Sequence, residues 1–140
     1  MDHSRKDVLK AYTIKFLEAA LRTDRQQSIR NADGHGRKKR ECGDTIEFFI
    51  ALRDDRIDTI AYEINGCINT NACANAVIDL IEGQTLDKAW RLSPEDVAEY
   101  LESLPPDEIH CAELAVEALR LALADAREKL KAPWKKLYGR

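Results

Sequence analysis

Residues 46–64 alternate with a period of two. Ile46, Phe48, Ile50 and Leu52 fall on one side of an extended chain, with Glu47, Phe49 and Ala51 between them. Ile60, Tyr62 and Ile64 repeat the pattern with Ala61 and Glu63. Successive side chains of a strand point to opposite faces, so each run reads as a strand with one buried face. Asp54-Asp55 between them is turn chemistry, and so short a connection makes an antiparallel hairpin.

Most of the remaining chain has helical spacing. Over residues 4–22, Val8, Tyr12 and Phe16 form an i, i+4 row beside Leu9, Leu17 and Leu21, with Ser4 as cap and Asp7 three positions on. Periodicity then fades. Asp33-Gly34-His35-Gly36 reads as a flexible turn, and Arg37-Lys38-Lys39-Arg40 follows as a basic run. After Asn65-Gly66, Asn69 or Thr70 caps a helix to about Glu82, and Gly83 takes the C′ place. A short helix covers Leu86 to Arg91. Ser93-Pro94-Glu95-Asp96 then supplies a cap, an N1 proline and first-turn acids for the next helix. Leu104-Pro105-Pro106 stops that helix. The last helix runs from about Ile109 to Lys131, with Leu114, Ala115, Ala118, Leu119, Ala122 and Leu123 as its buried stripe. The expected fold is α+β: an antiparallel sheet of two to three strands packed against four to five helices. The expected organisation is a single domain over 1–140, with an N-terminal helix and basic linker (1–41), a body (42–131) and a basic tail (132–140).

A formal net charge of −3 argues against a general nucleic-acid binder, which needs a clear basic excess. That total conceals a net of +5 over residues 1–42, −13 over 43–128 and +5 over 129–140. An acidic body thus has basic ends, which serve solubility or dock on an acidic partner. No apolar run approaches the ~20 residues of a membrane span, and the N-terminus has no signal-like apolar segment. The expected location is the cytoplasm, where thiols stay reduced.

In that setting four cysteines read as metal ligands, sulfur carriers or buried small residues. Cys42 precedes the first clear strand, Cys67 lies between a strand and a helix start, and Cys111 lies near the start of the last helix. Helix N-termini favour thiolate, which is both metal ligand and sulfur nucleophile, so Cys67 and Cys111 are expected to be activated. Asp44 and His110 stand beside Cys42 and Cys111. Cys73, six residues after Cys67, faces elsewhere on its helix and reads as a buried small residue. His3 and His35 read as solvated, and Trp90, Tyr100 and Tyr62 as core. Spacing alone leaves a metal or sulfur site and ordinary buried thiols evenly matched.

Cys42-Gly43-Asp44, Gly66-Cys67 before a helix, Gly83-Gln84-Thr85-Leu86-Asp87-Lys88-Ala89, and Leu104-Pro105-Pro106 leading to Ile109-His110-Cys111 together resemble the IscU/NifU N-terminal family of iron–sulfur cluster assembly scaffolds. The similarity runs from Cys42 to about Arg127. The resemblance implies that Cys42, Cys67 and Cys111 ligate the cluster, that Asp44 tunes its lability or completes the coordination, and that His110 is a fourth-ligand candidate. Three thiolates with an exchangeable oxygen or nitrogen donor suit assembly followed by release, and the same set would hold Zn²⁺. The implied cofactor is a transient iron–sulfur cluster of the 2Fe-2S type, built from iron. The implied partners are a cysteine desulfurase and apo iron–sulfur proteins, with no nucleic acid and no membrane, and the chain acts as monomer or homodimer. Cys111 or Cys42 is expected to be the first persulfide acceptor. The implied role is a scaffold, not an enzyme. The alternatives are a zinc-binding sulfur-acceptor protein serving the desulfurase, or a divergent binding module of the same fold.

Two stretches depart from the family pattern. The approach to Cys42 is Arg37-Lys38-Lys39-Arg40-Glu41, in place of a glycine-rich, nearly uncharged one, which opens the choice of desulfurase partner. The family's L-P-P-x-K-x-H-C becomes Leu104-Pro105-Pro106-Asp107-Glu108-Ile109-His110-Cys111, and this change from basic to acidic argues against an Hsp70-type chaperone partner.

Overall fold

The period-two segment forms the centre of a three-stranded antiparallel sheet. The computed structural model describes residues 13–41 and 43–132. Its elements are α1 (Ile14–Leu21), β1 (Gly34–Lys39), β2 (Thr45–Arg53), β3 (Arg56–Asn65), α2 (Ile68–Ile81), α3 (Leu86–Trp90), α4 (Pro94–Leu101) and α5 (Ile109–Lys131), with a 3-10 turn over Pro106–Glu108 ahead of α5. The sheet order is β1-β2-β3. The α+β class and the hairpin are as expected; the third strand lies where a turn and a basic linker are expected.

That difference has a packing cause. In β1, Gly34 pairs with Ile50 and Gly36 with Phe48, so the glycines share the sheet face of the apolar row Ile46, Phe48 and Ile50. This face lies against α5. A Cβ on Gly36 would come within 2.2 Å of Ala122 N and 2.6 Å of Ala118 O; one on Gly34 would come within 2.5 Å of Ala122 O. The strand buries backbone instead of side chains, and no apolar alternation marks it. His35 is not solvated: it pairs with Glu47 and its ring lies 5.0 Å from that of Phe49. Phe49, on the opposite face from Phe48, is itself only 2 % exposed, so β2 is covered on both sides.

α5 presents its expected stripe, and Leu114, Ala115, Ala118, Leu119, Ala122 and Leu123 are all fully buried. α2 packs on α1, α4 and α5. α1 is capped by Thr13, whose Oγ1 accepts the Phe16 N–H at 3.1 Å. The earlier part of the helix expected over 4–22, with Ser4, Val8, Leu9 and Tyr12, lies outside the described residues, as do His3, Trp134 and Tyr138. The last carbonyls of α1 are met by buried amides of α2. Asn71 Nδ2 donates to Ala20 O at 2.9 Å and Arg22 O at 2.8 Å, and Asn75 Nδ2 donates to Ala19 O at 2.8 Å. These asparagines take up acceptors that a helix end leaves unpaired. Ser93 caps α4 as expected, and with Asp96 it completes a capping box.

Tyr62 is a core residue, as expected, but Trp90 and Tyr100 are not. Trp90 lies on the surface under the guanidinium groups of Arg120 and Arg127, at 5.9 Å and 5.4 Å. Tyr100 OH donates to Asp79 at 2.9 Å. Both side chains carry a polar or cationic contact that keeps them at the boundary. Among the described residues no helix is long and apolar enough to cross a membrane.

The β1–α5 seam leaves no room for a methyl group. Gly36→Ala is expected to destabilise the fold by about 1–3 kcal/mol, the usual range for overpacking. Urea unfolding followed by circular dichroism checks this; a midpoint unchanged from the unsubstituted chain would show that α5 can yield.

Candidate metal centre

The sheet register gathers three chain segments at one end. Lys39 pairs with Thr45, and Thr45 pairs with Asn65. The end of β1, the start of β2 and the end of β3 are therefore side by side. Asp44 directly precedes β2, and Cys67 follows β3 as the N-cap of α2. The first turn of α5 brings in His110 and Cys111. Four of the five expected site residues, Asp44, Cys67, His110 and Cys111, thus converge. The fifth, Cys42, lies outside the described residues; the neighbouring turn is closed by Gly43 N–H donating to Arg40 O and Arg40 N–H donating to Asp44 O, both at 2.9 Å.

At the hub is a residue expected only as a helix cap. Thr70 is buried, and its Oγ1 lies 3.4 Å from Asp44 Oδ2, 3.7 Å from Cys67 Sγ and 3.7 Å from Cys111 Sγ. It does not cap α2; the cap position belongs to Cys67. Thr70 stands three residues after Cys67, which puts both on one face of the first helical turn, and that spacing was the available signal. Gly66 makes room for it, since a Cβ there would lie 2.8 Å from Thr70 Oγ1. A hydroxyl has one proton and two lone pairs, so Thr70 can donate to Asp44 while accepting from a protonated thiol, or turn its proton to Cys67 when that sulfur is a thiolate.

A second residue was expected only as a change of sign in the family stretch. Glu108 Oε2 accepts from Cys111 Sγ at 3.5 Å and lies 3.5 Å from His110 Nε2. Donor atoms of Asp44, His110 and Cys111 all lie within 4.8 Å of one another, and so do those of Cys67, Glu108 and Cys111. Mixed sulfur, oxygen and nitrogen donors at such separations fit a borderline transition-metal ion. On the outer side, Arg40 donates to His110 O at 3.5 Å.

The two described thiols of the centre have opposite environments. For Cys67, partial burial pushes the pKa up. The backbone N–H groups of Thr70 and Asn69 and the Thr70 hydroxyl outweigh this and hold it below the ordinary value. Cys67 is exposed. Cys111 is fully buried, and burial pushes its thiol up to about 12; the neighbouring Cys67 and Glu108 add to the rise. The helix-start activation expected of both cysteines thus holds for Cys67 and is reversed at Cys111, where desolvation and a carboxylate outweigh the dipole. Cys73 is buried in the core, as expected, and burial raises its thiol well above the ordinary value.

Comparison with known proteins bears on this arrangement. The family model described as NifU-like N terminal domain matches residues 12–133. The iron-sulfur cluster assembly scaffold protein IscU 1 of Archaeoglobus fulgidus is 35 % identical over 98 residues, which are 69 % of this chain and 64 % of that protein. The chain therefore spans less than two thirds of that relative. The scaffold protein IscU of Escherichia coli K12 is 36 % identical over 92 residues, 65 % of this chain and 71 % of the relative. The crystal structure of a nitrogen-fixing NifU-like protein (N-terminal) from Brucella abortus superposes with a TM-score of 0.71 at 18 % identity, covering 87 % of this chain and 98 % of the other. At that identity the superposition speaks for the fold.

The contrast between the thiols is measurable. With a limiting alkylating reagent near neutral pH, Cys67 is expected to label before Cys111 and Cys73, as read by peptide mass mapping. Thr70→Val keeps the backbone N–H and removes the hydroxyl. It should move the Cys67 labelling profile to higher pH; an unmoved profile would take Thr70 out of the thiolate's stabilisation.

Proposed function

The chain belongs to the family of NifU-like N terminal domains, and from that premise we propose that it is a scaffold on which an iron–sulfur cluster is assembled and then passed to apo-proteins. The observation that carries this reading is the convergence of Cys67, Cys111 and Asp44 around Thr70, with His110 beside Asp44 and Cys111, at one end of the sheet. Cys42, by its place in the family motif, adds the third thiolate. The cluster is cargo here, of the two-iron type, and the chain's role is to hold and release it rather than to turn over a substrate.

Each residue has a task in this scheme. Among the described thiols Cys67 is the one placed to receive sulfur, since it is exposed and its thiolate is favoured. Its sulfur attacks the outer sulfur of a desulfurase persulfide, a new S–S bond forms, and the desulfurase cysteine leaves as thiolate. This differs from the expectation for Cys111, which is buried and holds its proton. Iron and an external electron donor convert the delivered sulfane sulfur to sulfide. Cys111 is the inner anchor, fixed on α5. Asp44 and His110 supply donors that bind iron less firmly than thiolate, which keeps the cluster exchangeable. A cysteine desulfurase and apo iron–sulfur proteins are the partners, and a reducing cytoplasm suits the open thiols. Glu108, in place of the family's lysine, speaks against an Hsp70-type chaperone.

Anaerobic reconstitution with iron, sulfide and thiol tests the reading. It predicts visible thiolate-to-iron absorption that transfers to an apo-ferredoxin. Asp44→Ala should lengthen the lifetime of the cluster several-fold; a shorter lifetime counts against the lability role of Asp44, and no visible chromophore counts against the scaffold.

A further inference from the structure

Glu108 departs in charge from the motif that Leu104 to Cys111 resembles, and the scaffold scheme gives it no ligand role. It is the N-cap of α5, yet its side chain makes no capping hydrogen bond. The usual work of an acid at a helix start, accepting from the first N–H groups, is left undone. Its carboxylate turns inward. Oε2 faces Cys111 Sγ at 3.5 Å, with Cys67 Sγ within 4.8 Å of both. The side chain is 28 % exposed, so it stands at the rim between solvent and the buried sulfur.

These separations suit an ion. A sulfur about 2.3 Å and an oxygen about 2.1 Å from a tetrahedral metal lie about 3.6 Å apart, and two sulfurs about 3.8 Å apart. The Cys111–Glu108 pair already stands at the first separation. The ion would take the place of the thiol proton that now points from Cys111 to Glu108.

We propose that Glu108 is a metal ligand of this chain. With Cys67 and Cys111 it forms a three-donor S₂O position for a divalent transition-metal ion, which does not require Cys42 and takes its fourth tetrahedral donor from water or, through the shared Cys111, from the Asp44–His110 group. Binding displaces to solvent the proton of Cys111 and whatever proton Cys67 still carries. Two thiolates and a carboxylate leave the loaded position with one net negative charge. A lysine at 108 would offer a cation there instead of a ligand. The position holds an ion before any sulfur arrives. The inference rests on the scaffold reading for the ion's identity as iron, and on geometry alone for binding.

Anaerobic titration of the full chain with Co²⁺ tests it, read by sulfur-to-cobalt charge-transfer bands and by the d–d bands of a tetrahedral ion. Glu108→Gln should weaken cobalt binding at least tenfold while the sulfur bands survive at saturation. Glu108→Lys should weaken it further, and Cys42→Ser should retain the Glu108-dependent binding. Far-UV circular dichroism confirms folding; should Glu108→Gln not fold, Glu108→Ala carries the same comparison. Affinities for Glu108→Gln and Glu108→Lys within threefold of the unsubstituted chain would overturn the proposal, as would an unsubstituted chain that binds no cobalt. Cobalt held through Glu108 by a chain that builds no cluster would uphold the ligand and remove the scaffold. A cluster built by a chain whose cobalt affinity ignores Glu108 would do the reverse.

Discussion

The structure depends on the contact between the backbone of β1 and the backbone of α5. Gly34 and Gly36 lie against Ala118, Ala122 and Ala126 with no side chain between them on the strand side. Close packing of this kind transmits displacement, because neither surface has a soft atom to give. It fixes α5 relative to the sheet, and with it the height at which the first turn of α5 meets the strand ends. Cys111 and His110 sit on that turn. Asp44 and Cys67 sit on the strand ends. The seam therefore sets the separation of candidate ligands that lie well away from it.

The same seam explains the basic run. β1 is an edge strand, and its last residues, Arg37, Lys38 and Lys39, are exposed. Unpaired edge strands invite pairing with other chains, and a row of charges prevents it. The run is thus a guarded edge as well as the approach to Cys42. Its last member, Arg40, turns to the site and donates to His110 O.

The hairpin, the Ser93 cap of α4 and the α5 stripe were legible because each follows a side-chain period or a cap rule. β1 was hidden because its buried positions are glycines, whose signal without the partner helix is that of a turn. The site was legible as residue types, since cysteines at element boundaries are conspicuous. Its interior was not. Thr70 looks like any helix-start threonine, and Glu108 like any helix-start acid, until the fold shows that neither caps. The expected activation of Cys111 is reversed for a related reason. A helix start favours thiolate, but the sequence does not show how deeply a first-turn residue is buried, and at Cys111 burial decides.

In the scaffold reading the candidate ligands grade from fixed to free, and that grading bears on release. Cys111 is fully buried on the longest helix and moves only with the core. Cys67 is exposed at a helix cap. Asp44 and Glu108 are half-buried, one in the turn before β2 and one in the 3-10 turn before α5. In the scaffold reading, cargo held by all of them is anchored at the buried sulfur of Cys111 and faces solvent through an exposed thiolate and rim carboxylates. Oxygen donors exchange more readily on a borderline metal than thiolate does. Exchange therefore begins at the rim, where an incoming thiolate from an acceptor protein can displace a carboxylate before any buried bond breaks. A site with the anchor at the rim and the carboxylates inside would hold the same ion and could not hand it on by that route.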